Sequence, residues 1–315
     1  MGRRVVFEEF GGIDRLHIVE APDPQPGLGQ VRVRVAFAGL NPVDWKILAG
    51  GPGRGAPKPP SGNGNDFAGV VDMVGPGVED LAVGDPVFGG LRFFAQADHL
   101  LIDAAHVCAV PPGLGLDTAA GLQITSLTAL AGVRAIAPRA GETVLVTGAA
   151  GGVGVLAAQL ARAAGATVLG TAGPDNHPFL QSLGIVPVLY GEGLADRLRD
   201  LAPGGIQAAY STRGLDEVRA LVGLGIPAGR INAIAAGPAA GELGAHTDGM
   251  AASLPGDLER IAAAVASGAL ISPIDSVYDL EDVGSAYARL QAGHVRGKIL
   301  LRTASAAGAA ELLGA

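Results

Sequence analysis

The alternation of apolar and polar residues predicts strands in the first part of the chain. Residues 30–38 alternate strictly before ending in apolar neighbours, which is the period of a strand with one buried and one solvent-facing side. Residues 3–7 and 14–19 are expected to pair, and residues 66–75 and 83–89 supply further short strands between turns rich in Gly and Pro. The N-terminal third is therefore predicted to be β-rich.

Helical and strand patterns alternate after residue 117. Residues 117–137 have the apolar spacing of a helix, for which Asp117 is the expected N-cap. The remaining expected elements are strands at residues 143–146, 166–172, 185–190, 207–210, 230–235 and 297–302, an extended segment at 272–278, and helices at 254–267 and 280–292, the latter capped by Asp279. This order predicts an α/β middle followed by a return to β structure.

Two segments lack a periodic pattern. Residues 50–64 are rich in Gly and Pro, and because long loops inside compact domains are often functional, this loop is expected at the rim of a cleft. The alanine-rich tail after Thr303 is expected to be a frayed helix or disordered.

The most informative stretch, residues 143–172, contains a strand, a glycine turn, a helix and a second strand. The glycine turn comprises Gly148, Ala149, Ala150, Gly151, Gly152, Val153 and Gly154. Gly151 allows the backbone to approach a diphosphate, and Gly154 allows the helix to lie close to its strand. The N–H groups and partial positive charge at the helix N-terminus favour phosphate. The pattern predicts a dinucleotide site, with a glycine-rich turn that binds no ligand as the alternative.

The composition favours a small-molecule ligand over nucleic acid. The chain of 315 residues is 49% hydrophobic and 17% charged, with a formal net charge of -8. Such a chain can bury a large core, whereas binding to nucleic acid requires clustered Lys and Arg. The single cysteine, Cys108, excludes an internal disulfide and fits a reducing, cytoplasmic location. Glu8 and Glu9 interrupt the apolar start, so no signal peptide is expected, and glycines within residues 143–161 argue against a membrane span.

A family resemblance is carried by five segments that follow one another along the chain. They are residues 39–46, 65–71, 83–89, 148–154 and 294–299. With these segments the chain resembles the medium-chain dehydrogenase/reductase superfamily, in particular its zinc-independent, quinone-oxidoreductase-like branch.

The resemblance implies a fold of class α/β with two domains and a nicotinamide cofactor. A Rossmann domain with a doubly wound parallel sheet is expected over residues 123–263. A β-rich, GroES-like catalytic domain is expected from residues 1–122 and 264–315. NADP(H) is the cofactor that this likeness implies.

Zinc is not expected. Zinc-containing relatives have a cysteine near Gly39 and a Gly-His-Glu sequence where this chain has Gly64, Asn65 and Asp66. With the thiolate and the imidazole both missing, the trio of zinc ligands cannot assemble.

At the adenosine end, the residues favour NADPH over NADH. NAD-selective sites usually place Asp or Glu at the end of the second strand, where this chain has Ala172 after Thr171. Thr171, Asn176 and His177 can donate hydrogen bonds to a 2′-phosphate, and His177 falls where many relatives have a lysine. Tyr190 matches a family tyrosine that lies against adenosine. The alternative for His177 is a surface residue at the start of a helix.

The nicotinamide and substrate ends are assigned from the resemblance. Asn41 and Thr128 match positions that border the nicotinamide ring, and Ala235 matches a main-chain contact to its carboxamide. Further pocket candidates are Asp44, Trp45 and Lys46. Asp44 has the alternative role of capping a short helix, and Trp45 that of a core residue. No residue stands out as a proton donor.

These observations predict an NADPH-dependent oxidoreductase that reduces a quinone or an activated, α,β-unsaturated carbonyl double bond. Two alternatives keep the scaffold: a specialised-metabolite tailoring enzyme with a net cyclisation, isomerisation or dehydration, and a non-catalytic NADPH-binding protein. Relatives commonly carry Asp and Gly after the fourth strand, where this chain has Ser211, Thr212, Arg213 and Gly214, so an unusual substrate choice or an altered redox activity is expected. A homodimer joined edge to edge is compatible with the uncharged residues 231–236, which fit an interior strand equally well.

Overall fold

The computed structural model describes residues 1–51 and 58–307, and the chain divides into two compact units. The first unit contains Met1–Ile124, Leu258–Ala269 and the segment that begins at Pro273. The second unit contains Thr125–Asp257 and Leu270–Ser272.

Strands and helices are numbered along the chain. The strands are β1 (Gly2–Phe7), β2 (His17–Ala21), β3 (Gln30–Gly39), β4 (Ser61–Gly62), β5 (Asp66–Val74), β6 (Pro86–Gly90), β7 (His99–Asp103), β8 (Val107–Ala109), β9 (Thr143–Val146), β10 (Thr167–Ala172), β11 (Val186–Leu189), β12 (Ala208–Ser211), β13 (Ile231–Ala233), β14 (Ile274–Asp279) and β15 (Lys298–Arg302). The α-helices are α1 (Pro42–Leu48), α2 (Leu116–Ala119), α3 (Gln123–Ile136), α4 (Gly152–Ala163), α5 (His177–Ser182), α6 (Leu194–Leu201), α7 (Leu215–Gly223), α8 (Ala239–Glu242), α9 (Asp257–Ala266) and α10 (Val283–Ala292). Short 3₁₀ turns lie at Ile13–Arg15, Ala104–His106, Pro174–Asn176, Ala228–Arg230, Met250–Ala252 and Leu280–Asp282.

Two sheets form the framework of the first unit. The larger has the order β14-β15-β3-β5-β6-β8, with β7 also paired to β3, and the smaller has the order β2-β1-β4. Val31, Val33 and Val35 of β3 are fully buried, because the alternation along this strand places one side in the core. The predicted pairing of the first two strands is confirmed as an antiparallel ladder between β1 and β2.

Five parallel strands form the sheet of the second unit. Its order is β11-β10-β9-β12-β13, which in order of appearance within the unit is the doubly wound arrangement 3-2-1-4-5. Leu145, Leu169 and Val188, from three neighbouring strands, lie in one buried cluster. The predicted combination of a doubly wound parallel sheet with a β-rich unit is confirmed.

Strand β13 is one of the two edge strands of the second unit's sheet within the described ranges, and β11 is the other. His246 forms an isolated parallel bridge with Asn232. The Asn232 side-chain amide also exchanges two hydrogen bonds with the backbone of Asp248, at 3.0 and 2.9 Å. The chain therefore covers part of this edge itself, and the homodimer stays a prediction.

Two predicted helix starts are wrong. Residues 117–137 form two helices rather than one, with Gly115 instead of Asp117 as the N-cap of α2. Gly121 lies between the two helices, where its low helix propensity favours the break. The last helix begins only after the 3₁₀ turn at Leu280–Asp282, so Asp282 rather than Asp279 is its N-cap.

Parts of the two aperiodic segments lie outside the described residues. These are residues 52–57 of the predicted loop and residues 308–315 of the predicted tail. At the end of the loop, Ser61–Gly62 forms β4 and pairs with β1. Across the described ranges, every helix is too short or too polar to cross a bilayer.

Candidate functional site

The glycine turn follows β9 and is anchored by the neighbouring strand β10. The N–H of Gly148 donates to Thr171 Oγ1 at 3.0 Å, and the N–H of Ala149 donates to the Thr171 carbonyl oxygen at 2.9 Å. Gly148 has a φ of +60°, a conformation that glycine adopts without steric cost. Thr171 is buried, so its hydroxyl oxygen supports the turn in this structure.

Two glycines of the turn have different steric surroundings. A Cβ atom at Gly154 would lie 2.1 Å from the carbonyl oxygen of Gly148, so only glycine fits between α4 and the turn. A Cβ atom at Gly151 would meet only the same oxygen, at 3.4 Å, which is an ordinary contact. The fold therefore requires glycine at position 154 but not at position 151, where the space in front of the helix is open.

The N-terminus of α4 supplies backbone donors to that open space. Helix α4 begins at Gly152, with Gly151 as its N-cap. First-turn N–H groups have no acceptor inside a helix, and the helix dipole adds partial positive charge there. The N–H groups of Gly152, Val153 and Gly154 belong to this turn. The arrangement fits a diphosphate.

Four other predicted cofactor residues of this unit follow the carboxyl ends of its strands. Asn176 and His177 come after β10, Tyr190 directly follows β11, and Ala235 lies in the exposed turn after β13. Because the strands are parallel, these ends share one edge of the sheet with the glycine turn. His177 Nε2 lies 3.2 Å from the carbonyl oxygen of Ala172, so this nitrogen carries the proton.

A polar network beside the glycine turn is absent from the sequence-based prediction. Glu217 Oε2 accepts hydrogen bonds from Thr147 Oγ1 at 2.7 Å and from Ser211 Oγ at 2.6 Å. The N–H of Thr212 donates to Thr147 Oγ1 at 3.0 Å. Residues 211–214 depart from the sequence of the relatives, but no motif indicated that α7 supplies the carboxylate of Glu217.

Thr128 lies on α3 in the second unit and is buried. Its carbonyl oxygen accepts a hydrogen bond from the hydroxyl of Tyr210 at 2.8 Å. Burial raises the pKa of Tyr210 well above its usual value, so this hydroxyl keeps its proton. The contact fixes the backbone of α3 at Thr128 against β12.

In the first unit, a buried polar network surrounds the start of α1. Lys298 Nζ donates to the carbonyl oxygen of Leu40 and to Asn41 Oδ1, both at 2.7 Å, and lies 3.3 Å from Asp66 Oδ2. Asn41 Nδ2 donates to the same Asp66 oxygen at 3.0 Å. Asp66 is fully buried and Lys298 is 3% exposed. The side chain of Asn41, a nicotinamide-border candidate, is thus held by a buried ion pair.

Asp44 is part of this network and also caps α1. Its Oδ2 accepts the N–H of Asn41 at 2.8 Å, which is one half of a capping box. Its Oδ1 accepts from the Asn65 amide, and the Tyr287 hydroxyl lies 3.4 Å from Oδ2. Burial raises the pKa of Asp44 to about 7; the Asn65 and Asn41 donors oppose this shift, and the Asp66 carboxylate adds to it.

The raised pKa of Asp44 predicts a pH-dependent free energy of unfolding. In the unfolded chain this carboxyl titrates near its ordinary value of about 3.9, so above that pH the folded state binds more protons than the unfolded state. Its contribution to stability is complete below the unfolded pKa and is lost as the pH rises through about 7. We expect wild type to lose about 3 kcal/mol relative to Asp44→Asn between about pH 5 and pH 8.

Urea unfolding of both proteins across this pH range measures the difference. Titrations of groups that do not interact with Asp44 cancel in the comparison, because the two proteins share every other ionisable group. A difference in unfolding free energy that stays constant with pH would contradict a raised pKa for Asp44.

The remaining two pocket candidates have different surroundings. Trp45 is half-buried and packs against a core cluster that contains Leu40 and Tyr287, in line with the alternative of a core residue. Lys46 is exposed, with its ammonium 5.9 Å from the centre of the Trp45 ring. The structure therefore brings Asn41 and Asp44 together in a buried network and leaves Lys46 at the surface.

The residues at the zinc-ligand positions do not fit a metal ion. A Cβ atom at Gly39 would lie 2.3 Å from the carbonyl oxygen of Ala120, so this backbone leaves no room for a cysteine. Asn65 donates its amide to Asp44. Over residues 1–51 and 58–307, no group of three His, Cys, Asp or Glu side chains is arranged to hold a metal ion. No chemistry through zinc follows from these side chains.

Two family models match the chain, and curated relatives extend the comparison. The alcohol dehydrogenase GroES-like domain matches residues 27–137, and the zinc-binding dehydrogenase model matches residues 189–301. The spectinabilin polyketide synthase system protein NorB of Streptomyces orinoci is 41% identical over 189 residues, 58% of this chain and 8% of that protein. The synaptic vesicle membrane protein VAT-1 homolog of Danio rerio is 29% identical over 339 residues, 96% of this chain and 70% of that protein. The match thus spans only a small part of the polyketide synthase relative.

Solved structures match nearly the whole chain. The quinone oxidoreductase of Coxiella burnetii superposes with a TM-score of 0.83 at 26% identity, over 96% of this chain and 99% of that one. The CurK enoyl reductase gives a TM-score of 0.83 at 25% identity, over 96% and 99%. A mycobacterial protein complexed with NADPH gives a TM-score of 0.83 at 25% identity, over 95% and 99%.

These matches agree with a GroES-like first unit and a Rossmann-type second unit. The chain belongs to the medium-chain dehydrogenase/reductase superfamily of oxidoreductases, in its quinone-oxidoreductase-like branch.

Proposed function

We propose that this protein is an NADPH-dependent, zinc-independent reductase of quinones or of double bonds activated by a carbonyl group. The observation that carries the proposal is the glycine turn. Gly154 is required by packing, whereas Gly151 leaves open space in front of a helix N-terminus. A turn built in this way suits the diphosphate of a dinucleotide.

The chain's own residues would hold the cofactor along one edge of the second unit's sheet. The N–H groups of Gly152 and Val153 would bind the diphosphate, Tyr190 would lie against the adenosine, and the backbone at Ala235 would bind the carboxamide. When bound, NADPH supplies the hydride. The protein positions the reactants, and solvent delivers the proton that completes the reduction.

The preference for NADPH over NADH is supported by the end of β10. Ala172 is buried and uncharged where an NAD-selective site has a carboxylate. The acidic residue next along the chain is Asp175, three positions later in the 3₁₀ turn. If Asp175 instead bound the ribose hydroxyls, NADH would bind more tightly than NADPH.

The substrate class is supported by the relatives. A quinone oxidoreductase and an enoyl reductase both share the fold over nearly the whole chain. A panel of quinones and α,β-unsaturated carbonyl compounds, mixed with the protein and NADPH, tests the proposal through the loss of the reduced-nicotinamide absorbance. Turnover of at least one compound supports it. Tight NADPH binding without turnover of any compound would instead favour a non-redox or non-catalytic protein.

Gly151→Ala separates cofactor binding from folding. Because the added methyl group makes only an ordinary contact with the protein, we expect the free energy of unfolding to stay within about 1 kcal/mol of wild type. The same methyl group enters the space proposed for the diphosphate, so the NADPH dissociation constant should rise on the order of tenfold or more. Calorimetric titration measures this constant, and unchanged NADPH affinity in a folded variant would contradict the proposed position of the diphosphate.

A further inference from the structure

An aromatic ring and a guanidinium stack at the same edge of the second unit's sheet. The guanidinium carbon of Arg213 lies 5.4 Å from the centre of the Tyr190 ring, a cation–π contact. Tyr190 follows β11 and Arg213 follows β12, and the order of the sheet places β10 and β9 between these two strands. The pair therefore spans the ends of the two strands that carry Thr171 and the glycine turn.

The charge of Arg213 is only loosely neutralised. Its side chain is 59% exposed, and its Nε lies 4.0 Å from Glu217 Oε1, at the outer limit of an ion pair. Glu217 already accepts two hydroxyl hydrogen bonds through Oε2, from Thr147 and Ser211. An exposed pair at this distance contributes little stability, so Arg213 can turn to a stronger anion at low cost.

The two side chains suit different parts of a phosphorylated adenosine. The flat face of Tyr190 can stack on a purine, and the guanidinium of Arg213 can bind a phosphate through two parallel N–H donors. The other basic candidate, His177, already has Nε2 engaged with the carbonyl oxygen of Ala172. Arg213 therefore offers a phosphate more N–H donors than His177 does at this edge.

We propose that Arg213, whose guanidinium stacks on the Tyr190 ring, recognises the 2′-phosphate of the cofactor. Resting on the proposed function, this inference names the residue that discriminates NADPH from NADH. It also gives a role to the departure from the family pattern at residues 211–214: the segment after β12 carries the phosphate-binding cation.

Adenosine 2′,5′-bisphosphate and adenosine 5′-monophosphate test the inference, because the two ligands differ only in the 2′-phosphate. Their dissociation constants are measured by calorimetric titration for wild type, Arg213→Gln and a control, Arg219→Gln. Arg219 is also an exposed arginine. It lies on the neighbouring helix α7, where its Nη1 pairs with Asp216 Oδ1 at 2.9 Å. All variants are checked for an unchanged melting temperature.

We expect wild type to bind the bisphosphate more tightly than the monophosphate, and Arg213→Gln to weaken bisphosphate binding on the order of tenfold to a hundredfold. Monophosphate binding should change little, and Arg219→Gln should leave both constants unchanged. Arg213→Lys keeps the charge without the planar fork, so it should recover part of the bisphosphate affinity.

Failure of this inference and failure of the proposed function give different results. If wild type binds the bisphosphate selectively and Arg213→Gln keeps that selectivity, another residue binds the 2′-phosphate. Only the inference about Arg213 is then overturned. If wild type binds neither ligand and also fails to bind NADPH, both are overturned. Equal weakening of both ligands by Arg213→Gln would show a structural rather than a phosphate-specific role and would also overturn the inference.

Discussion

Replacing Lys298 with methionine is expected to lower the free energy of unfolding by about 3–5 kcal/mol. The ammonium is the cation paired with Asp66, and both side chains are almost completely inaccessible to solvent. Removing it leaves a buried carboxylate whose pKa is already raised by burial, although Lys298 and Asn41 oppose that shift. The carbonyl oxygen of Leu40 and Asn41 Oδ1 would also lose their donor. Urea unfolding at neutral pH measures the loss.

A double variant and a surface control separate the charge effect from the loss of packing. Lys298→Met combined with Asp66→Asn removes both charges and should recover a substantial part of the lost stability, because no unpaired buried charge remains. Lys46→Met removes an exposed lysine whose ammonium lies over the Trp45 ring. This change should lower the free energy of unfolding by about 1 kcal/mol or less. Equal losses in Lys298→Met and Lys46→Met would contradict a buried ion pair.

Gly154→Ala is expected to destabilise the second unit by about 2–4 kcal/mol and to weaken NADPH binding. The added Cβ would lie 2.1 Å from the carbonyl oxygen of Gly148 and 2.8 Å from its carbonyl carbon. Both are backbone atoms that cannot rotate away, so α4 must move from the turn. That movement displaces the helix N-terminus on which the proposed diphosphate site depends. Thermal unfolding and calorimetric titration with NADPH measure the two effects.

Gly223→Ala is the matched control for this substitution. Gly223 ends α7, and a Cβ atom there would meet nothing within 4 Å. Since alanine favours a helix over glycine, this change should raise stability by up to about 1 kcal/mol and leave NADPH binding unchanged. If Gly154→Ala left stability and NADPH binding as unaffected as Gly223→Ala does, the result would contradict the close packing of α4 on the glycine turn.

The fold could be predicted from the sequence because the patterns that indicate its strands and helices are local. The alternation in β3 places its valines in the core, and the strand, glycine turn and helix of residues 143–172 lie consecutively in the chain. Helix boundaries were harder to predict from the sequence. The single helix predicted from Asp117 is divided at Gly121, and apolar spacing continues across that break.

The site could be predicted from the sequence only where its residues are neighbours along the chain. The glycine turn is one such run, and the cap formed by Asn41 and Asp44 is another. The buried network is not local: Lys298 and Asp66 are 232 residues apart, and Tyr287 and Asp44 are 243 apart. No periodicity or motif links such pairs, because tertiary packing alone brings them together. The same holds for the contact of Arg213 with Tyr190.

A crystal structure of the protein with NADPH tests the central claim most directly. The account predicts density for the diphosphate in front of Gly151, within hydrogen-bonding distance of the N–H groups of Gly152 and Val153. Density for NADPH at another position, or an empty glycine turn in crystals grown with saturating NADPH, would contradict it.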